Sequence, residues 1–245
     1  MSSVPSPDLT GPPALSAIVL CYRAGESIAA VVEPLHALLE KSGIDYEIVL
    51  VANYWPHHQD TTPEIVRRLA ARHAHVVTLD FEKQGGMGWD VRSGLKVARG
   101  STLVVIDGDA QNPVADVLRM YQLLRDTGAD IGKGRRMNRG DGFLRWFMSC
   151  GFNCLFCVLF RTWPLWDING KPKGLTRAAY ERMSLESDDW FVDAEIVLKA
   201  HRRGMKIVEL PVMFLANKER SSFLRFSAIW EFLIHMMRYA MWNRP

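Results

Sequence analysis

Continuous hydrophobic runs alternate with amphipathic, helix-like stretches along the first half of the chain. Such runs are typical of parallel strands that helices cover on both faces, rather than of half-exposed strands. The alternation predicts repeated β-α-β units, and therefore an α/β fold with a mostly parallel central sheet and helices on both faces. The expected strands are 17–22, 47–52, 76–80 and 102–107, and the expected helices are 27–39, 63–73 and 88–98.

The second half is less regular. Its expected helices are 117–128 and 191–204, and its expected strands begin at Ala129 and cover 206–212, where Pro211 ends the strand. Residues 143–160 are strongly apolar, but this segment is too short and too interrupted to span a bilayer. We expect one domain at 15–220, preceded by a disordered lead at 1–14 that is rich in Pro and Ser.

Residues 221–245 are expected to form a C-terminal amphipathic helix, with the pattern clearest over 223–242. One face would carry Glu231, His235 and Arg238, and the other would carry aromatic and methionine side chains. Such a helix suits a membrane interface, where it would bring the protein to a lipid-linked substrate. The alternative is that both apolar segments pack on the domain or form a homo-oligomer contact.

Composition narrows the class of protein. The chain has 245 residues, is 48% hydrophobic and 23% charged, and carries a net charge of +3, so a globular domain with no nucleic-acid partner is expected. Cys150, Cys154 and Cys157 have the spacing of one helix face, and we expect inert buried thiols in a reducing cytosol. The N-terminus has no signal-peptide pattern, so a cytoplasmic location is expected.

Two aspartates follow the expected strand at 102–107. Asp107 and Asp109 are one residue apart, and Gln111 follows. Such close carboxylates repel each other unless a positive charge lies beside them, and Mg²⁺ or Mn²⁺ takes hard oxygen ligands of this kind. A surface turn is the alternative. Ligands of parallel sheets bind at the carboxyl ends of the strands, which favours a metal site.

A glycine-rich stretch and a basic stretch flank this motif. Gly85, Gly86 and Gly88 open a helix whose N-terminus could bind phosphate, although the pattern differs from a dinucleotide-binding fingerprint. Downstream, four basic residues follow a strand that should end at the same edge, and at least one is expected to bind phosphate. The alternative is a solvated loop. These residues are Lys133, Arg135, Arg136 and Arg139.

In this order the motifs resemble the family 2 glycosyltransferases with the GT-A fold. The resemblance is carried by a strand ending at Tyr22, by Gln84 to Gly88, by the run Asp107 to Pro113, and by Gly134 to Arg136. The dolichol-phosphate mannose synthase-like branch, which carries D-x-D-x-Q-x-P, is the most similar. The resemblance covers about residues 16–220.

The resemblance implies a nucleotide-diphosphate sugar donor of the UDP or GDP type, Mg²⁺ or Mn²⁺, and inversion at the anomeric carbon. By position, Asp107 and Asp109 would hold the metal with help from Gln111, and Arg136 would face the donor or acceptor phosphate. Asp167 matches an acidic residue of the family, with Lys171 and Lys173 close by. The remaining donor-binding positions would be Tyr22, Asn53, Gln84, Gly88, Lys218 and Arg220.

Two stretches depart from the family pattern. The first strand ends without the usual Pro and Glu, with Ala24 near the position of the Glu, and the second ends with Asn53 where the family has paired aspartates. Asn53 can still donate and accept hydrogen bonds to a base. These departures also motivate a different hypothesis, a non-catalytic scaffold that binds nucleotide sugars.

The expected acceptor is a polyprenyl phosphate of the dolichyl or undecaprenyl type, at the cytoplasmic face of the membrane. A phosphate monoester is already an anion at pH 7, with a second pKa of about 6, so no general base is needed. Transfer to a sugar hydroxyl is the alternative and needs a carboxylate base. The candidates are Asp167, Asp193 and Glu195, and a solvated helix face is the alternative for the last two.

Overall fold

The described part of the chain is built on a seven-stranded sheet. The computed structural model describes residues 11–138, 143–162, 165–215, 234 and 236–239. The strands are β1 (Leu15–Leu20), β2 (Tyr46–Val51), β3 (Val76–Leu79), β4 (Thr102–Asp107), β5 (Ile131–Asn138), β6 (Lys173–Thr176) and β7 (Ile207–Met213). The helices are α1 (Ala29–Ser42), α2 (Thr62–Ala70), α3 (Met87–Val97), α4 (Ala115–Thr127), α5 (Phe143–Phe160), α6 (Arg177–Met183) and α7 (Val192–Arg202), and a 3-10 turn at Gly25–Ile28 precedes α1.

The strand order in the sheet is β3-β2-β1-β4-β6-β5-β7. Neighbouring strands are parallel, except that β6 runs antiparallel to both β4 and β5. Leu20, the last residue of β1, is in register with Val51 of β2 and Asp107 of β4. These three strands therefore end together, and the loops after them meet at one edge. The predicted α/β fold with a mostly parallel sheet is confirmed.

Each face of the sheet packs on its own helices, because successive strand residues point to opposite faces. Val19 belongs to a hydrophobic cluster with residues of α1, α2 and α4, whereas Ile18 belongs to a cluster with residues of α3, α6 and α7. Coverage on both faces explains the continuous apolar runs in the sequence. A third cluster joins the end of α5 to α7 through Phe156, Phe160 and Val197.

Some elements differ from the sequence prediction. Strand β6 and helix α6 were not predicted, because Lys173–Thr176 is short and begins with a charged residue. Strand β7 continues through Pro211 to Met213, so the predicted end at Pro211 is wrong. Proline is tolerated there because β7 is the last strand in the order and its outer side needs no ladder donor.

The cysteine prediction was partly wrong. Cys157 is buried and Cys150 is partly buried, but Cys154 is exposed on the outer side of α5. The three thiols therefore do not share one buried face.

Both ends of the chain lie largely outside the described residues. Of the predicted C-terminal helix, 234 and 236–239 are described; they are helical, and Met236 is buried in the third cluster. Of the predicted N-terminal lead, 11–14 are described. Pro13 accepts a backbone hydrogen bond from Ser101 N–H, and Ala14 donates one to the Asp45 carbonyl, both at 2.9 Å.

Candidate active site

Asp107 and Asp109 lie where β4 ends. Gly108 between them continues the pairing of β4 with β1, since its N–H donates to the Leu20 carbonyl at 2.9 Å. A Cβ at Gly108 would lie only 2.8 Å from that oxygen, so this close approach requires glycine. Asp109 then forms a turn in which its Oδ1 accepts from the Gln111 N–H at 3.0 Å. Two carboxylates and an amide therefore share the carboxyl edge of the sheet, and all three residues are partly exposed.

A buried lysine lies against the first aspartate. Lys171 Nζ is 2.7 Å from Asp107 Oδ1 and 3.9 Å from Asp193 Oδ2. The Lys171 side chain is 4% exposed, whereas that of Asp107 is 34% exposed. Burial acts to lower the pKa of Lys171, but the carboxylates of Asp107, Asp193 and Asp109 outweigh it and the pKa is raised. A permanent positive charge therefore offsets the repulsion between the two strand-end acids.

The backbone fixes the position of Lys171. The Gly134 N–H on β5 donates to the Pro172 carbonyl at 2.9 Å. A Cβ on Gly134 would collide with the Lys171 carbonyl, and a Cβ on Gly170 would collide with the Gly134 carbonyl. These two glycines let the loop lie directly on β5, which brings the Lys171 side chain to the end of β4.

Asp193 is a buried counter-ion on α7. It is 4% exposed, so the alternative of a solvated helix face is wrong for this residue. Its Oδ1 lies 3.7 Å from Lys173 Nζ, which also donates to the Ile168 carbonyl at 2.7 Å. Burial lowers the pKa of Lys173 to about 8, although Asp193 opposes this shift. Asp193 is thus the counter-ion of two buried lysines, Lys171 and Lys173.

Glu195 is fully buried and holds a loop in place. Its carboxylate accepts from the N–H groups of Glu186 and Ser187, both at 2.9 Å, and from the Tyr239 hydroxyl at 2.8 Å. Lys199 Nζ lies 2.7 Å away on the same helix. Burial would raise the pKa of Glu195, but Lys199 and the backbone donors outweigh it, and the pKa is lowered. The solvated-face alternative is wrong here as well.

The loop held by Glu195 packs against the glycine-rich stretch. A Cβ on Gly88 would collide with the Ser187 carbonyl, and the Trp89 N–H donates to the Asp188 carbonyl at 3.2 Å. The space beside Gly88 is therefore occupied by protein, although phosphate binding was expected there. Gln84, just before the glycines, is exposed.

Arg136 and Asp167 form a bidentate ion pair. Arg136 Nε lies 2.9 Å from Asp167 Oδ2 and Nη2 lies 2.6 Å from Oδ1, and the Arg136 backbone N–H also donates to Oδ2 at 3.0 Å. Asp167 is buried, and the guanidinium carbon lies 5.3 Å from the centre of the Phe214 ring. Both Asp167 oxygens are bound by Arg136, which does not suit a free general base.

The other basic residues of β5 differ in exposure. Lys133 is fully buried and donates to the Trp166 carbonyl and, at 2.5 Å, to Glu209 Oε1. Burial lowers its pKa, against the opposing effect of Glu209. Arg135 is exposed, with its Nη1 3.5 Å from Glu209 Oε2. Lys133 therefore anchors the loop before β6, and Arg139 lies outside the described residues.

Asn53 is part of a buried polar network. Its Nδ2 donates to Asp90 Oδ1 at 2.9 Å and to Ser93 Oγ at 3.2 Å, and its Oδ1 accepts from the Phe81 N–H at 3.0 Å. Asn53 is 1% exposed, so its amide is used within the protein, whereas an amide open to a base was expected. Asp90, whose pKa burial raises against the effect of Lys83, is the unpredicted centre of this network.

Lys83 links this network to the end of β1. Its Nζ forms a buried ion pair with Asp90 and lies 4.5 Å from the centre of the Tyr22 ring. Tyr22 is partly exposed. Nothing in the spacing of Lys83 and Asp90 indicated this pair.

Of the other predicted donor-binding residues, Lys218 and Arg220 lie outside the described residues.

The residues at the end of β4 suit a hard divalent ion that is shared with a substrate. Within the described ranges, no group of three His, Cys, Asp or Glu side chains is arranged to hold a metal. Asp107, Asp109 and the Gln111 amide oxygen offer three oxygen ligands, fewer than an octahedral ion takes. Gln111 Nε2 donates to the Leu215 carbonyl at 3.3 Å. Mg²⁺ commonly takes one or two carboxylates together with substrate phosphates, so the set fits such an ion.

One side of α5 exposes apolar residues. Leu155 is 46% exposed and Val158 73% exposed. Ile234 and Met237 of the C-terminal segment are also exposed, while Met236 between them is buried. In the described ranges, no helix combines the length and the apolar character needed to cross a membrane.

Known structures share this fold. Glucosyl-3-phosphoglycerate synthase from Mycobacterium tuberculosis, in complex with Mn²⁺, UDP and phosphoglyceric acid, is 16% identical, with a TM-score of 0.70 over 93% of this chain and 78% of that chain. S. aureus TarS in complex with UDP-GlcNAc is 15% identical, with a TM-score of 0.63 over 94% of this chain and 66% of that chain. The predicted GT-A fold is confirmed.

Relatives by sequence cover most of the chain. Dolichol-phosphate mannosyltransferase of Pyrococcus furiosus is 26% identical over 94% of this chain, which spans 64% of that relative's length. Dolichyl-phosphate beta-glucosyltransferase ALG5A of Trichomonas vaginalis is 27% identical over 98% of this chain and 78% of its own length. The family model described as Glycosyl transferase family 2 matches residues 16–184, more than half of the chain, and the chain belongs to this family.

Proposed function

We propose that this protein is a metal-dependent inverting glycosyltransferase that moves a sugar from a nucleotide-diphosphate sugar to a polyprenyl phosphate. The observation that carries the proposal is the Asp107-Gly108-Asp109 turn at the carboxyl edge of the sheet, in a chain of glycosyl transferase family 2. Mannosyl and glucosyl transferases named for dolichyl phosphate are among its relatives, which supports the lipid phosphate as acceptor.

In this proposal Asp107, Asp109 and the Gln111 amide hold Mg²⁺ or Mn²⁺. The ion, when bound, neutralises the charge that develops on the leaving diphosphate. Lys171 adds a fixed positive charge at the same edge. Lys218 and Arg220 would close over the diphosphate, with Tyr22 and Gln84 lining the donor site.

Asn53 would act on the donor indirectly. The Asn53 side-chain amide donates to Asp90 and accepts from the Phe81 N–H, so it is not open to the base. It would instead hold the segment after β2 in position.

Arg136, on β5, is the proposed ligand of the acceptor phosphate. Asp167 fixes its guanidinium from one side, so the arginine is pre-organised for a second anion. Asp167 is thus a positioning residue. Pre-organisation matters because an immobile cation loses less entropy when it binds phosphate.

The carboxylates favour a phosphate acceptor over a sugar hydroxyl. A hydroxyl needs a base, and the three candidates are Asp167, Asp193 and Glu195. Each of them is buried in the structure and engaged by a cation. A phosphate needs no base, because its second pKa is about 6.

The exposed apolar side of α5 supports contact with a membrane surface. Leu155 and Val158 lie on α5, and Ile234 and Met237 lie on a segment whose Met236 packs in the same cluster as Phe156. We place this contact at the cytoplasmic face, where nucleotide sugars are available. Apolar area exposed in this way suits an interfacial helix.

A radiolabelled-sugar transfer assay tests the proposal. UDP- and GDP-sugars are offered with Mn²⁺ to polyprenyl phosphate or to the matching polyprenol in detergent, and parallel samples contain EDTA. We expect label in the polyprenyl-phosphate product only, and none in EDTA. Nucleotide binding without transfer from any donor would instead support a non-catalytic scaffold, and label on the polyprenol would support a hydroxyl acceptor.

A further inference from the structure

The Lys171 ammonium lies beside Asp107, where a metal ion would also bind. Its Nζ lies 2.7 Å from Asp107 Oδ1, an oxygen of the first proposed metal ligand. A charge-assisted hydrogen bond of this length is strong, and its donor is a full positive charge. An ion that binds Asp107 must therefore either displace the ammonium or bind beside it against electrostatic repulsion.

We propose that the Lys171 ammonium is a resident cation that competes with a divalent metal ion for Asp107. The inference rests on the metal site of the proposed function, but it concerns the protein before any substrate binds. In this proposal Lys171 is a positioning residue, because its ammonium determines when the Asp107 carboxylate is available to a metal ion.

The surroundings of Lys171 keep its ammonium buried within the protein. The side chain is 4% exposed, and Gly134 and Gly170 allow its loop to lie directly on β5. The ammonium nevertheless has a second partner, since Asp193 Oδ2 lies 3.9 Å away. A metal ion at Asp107 could push the ammonium toward Asp193 without exposing it to water.

The arrangement links metal binding to the donor. In the nucleotide-free protein, Lys171 already neutralises Asp107, so a dication gains little electrostatic binding energy there. A diphosphate brings negative charge that offsets both the ammonium and the metal. Metal and nucleoside diphosphate should therefore bind cooperatively.

Binding of Mn²⁺ to the nucleotide-free protein tests the inference without any transfer reaction. Free Mn²⁺ is measured by electron paramagnetic resonance during titration of the full chain. Lys171→Met removes the competing charge, and we expect Mn²⁺ to bind about tenfold more tightly than to the wild type. Lys171→Arg retains the charge and should resemble the wild type, as should the matched surface control Lys96→Met on α3, where Lys96 is exposed.

A second variant locates the competition. In Lys171→Met combined with Asp107→Asn, the gain in Mn²⁺ affinity should disappear, because the released ligand is no longer a carboxylate. Equal or weaker Mn²⁺ binding by folded Lys171→Met, or a gain that survives Asp107→Asn, would overturn the inference. If Lys171→Met does not fold by circular dichroism, Lys171→Gln is compared in the same way.

The titration and the transfer assay can fail separately. A gain in Mn²⁺ affinity in a protein that transfers no sugar would uphold the role of Lys171 and refute the proposed function. Metal-dependent transfer with no effect of Lys171→Met on Mn²⁺ binding would support the proposed function and refute the role of Lys171.

Discussion

Arg136 and Asp167 bind each other through two parallel side-chain contacts, Nε to Oδ2 at 2.9 Å and Nη2 to Oδ1 at 2.6 Å. Arg136 lies on β5, and Asp167 lies in the loop before β6, 31 positions further along the chain. The pair therefore joins the basic stretch on β5 to the loop before β6 and holds a guanidinium at a fixed angle. In the proposed function, Arg136 would bind a phosphate and Asp167 would hold it in position.

Arg136→Lys should weaken binding of the acceptor. Lysine keeps the charge but cannot make the bidentate contact with Asp167, so the cation would no longer be oriented. We expect the KM for polyprenyl phosphate to rise about tenfold, equivalent to about 1.4 kcal/mol, with a smaller change in kcat. Steady-state transfer kinetics measure this.

The control is Arg125→Lys on α4, where the arginine is exposed and the kinetics should not change. Asp167→Asn should have the same effect as Arg136→Lys, and the double variant should be no worse than either. A large fall in kcat for Asp167→Asn at unchanged KM would instead identify Asp167 as a base.

Gly88→Ala should destabilise the protein, because its Cβ would collide with the Ser187 carbonyl. Such overpacking costs about 1–3 kcal/mol of unfolding free energy. Gly151→Ala is the matched control, since nothing lies within 4 Å of a Cβ at that helical position. Urea unfolding should show a loss for Gly88→Ala and no loss for Gly151→Ala. Equal stability of wild type and Gly88→Ala would show that the 187–189 loop does not pack there.

Glu195 should make stability depend on pH. Its pKa is lowered in the folded protein, so the folded state holds its proton less tightly than the unfolded state does. Its contribution is therefore fully present above its unfolded pKa of about 4.3, and it is lost as the pH falls through the lower folded pKa. Glu195→Gln should cost about 3 kcal/mol or more at pH 7, where it breaks a buried ion pair.

Urea unfolding at pH 7 and near pH 4 measures the Glu195 effect. The difference between wild type and Glu195→Gln should shrink at the lower pH. Glu181→Gln, at an exposed position on α6, should match the wild type at both values. A difference that does not change with pH would mean that the Glu195 charge contributes nothing to stability.

The sequence predicted features that depend on local pattern. Strand β4 was predicted with its observed bounds, because five apolar or β-branched residues are followed by a charged residue at the sheet edge. The position of the Asp107-Asp109 pair followed from that strand and the parallel topology. Pattern along the chain was sufficient for these features because neighbours in sequence determine them.

Features that depend on distant partners could not be read in this way. Lys171 and Asp107 are 64 positions apart, and Asn53 and Asp90 are 37 apart. Lys133 was one of four basic residues of which at least one was expected to bind phosphate. It is buried because β5 pairs with β6 and β7, which the local sequence does not show. A charged residue whose partner lies elsewhere in the chain has the same local signal whether it is buried or solvated.

The central claim is that the acids at the end of β4 bind the donor diphosphate through a divalent ion, and sugar transfer by Asp109→Asn tests it most directly. The variant and the control Asp126→Asn, at an exposed site on α4, are assayed with donor, polyprenyl phosphate and Mn²⁺. We predict that Asp109→Asn folds normally but loses Mn²⁺-dependent transfer by at least a hundredfold, about 2.7 kcal/mol, while Asp126→Asn retains it. Wild-type transfer by folded Asp109→Asn would contradict the account.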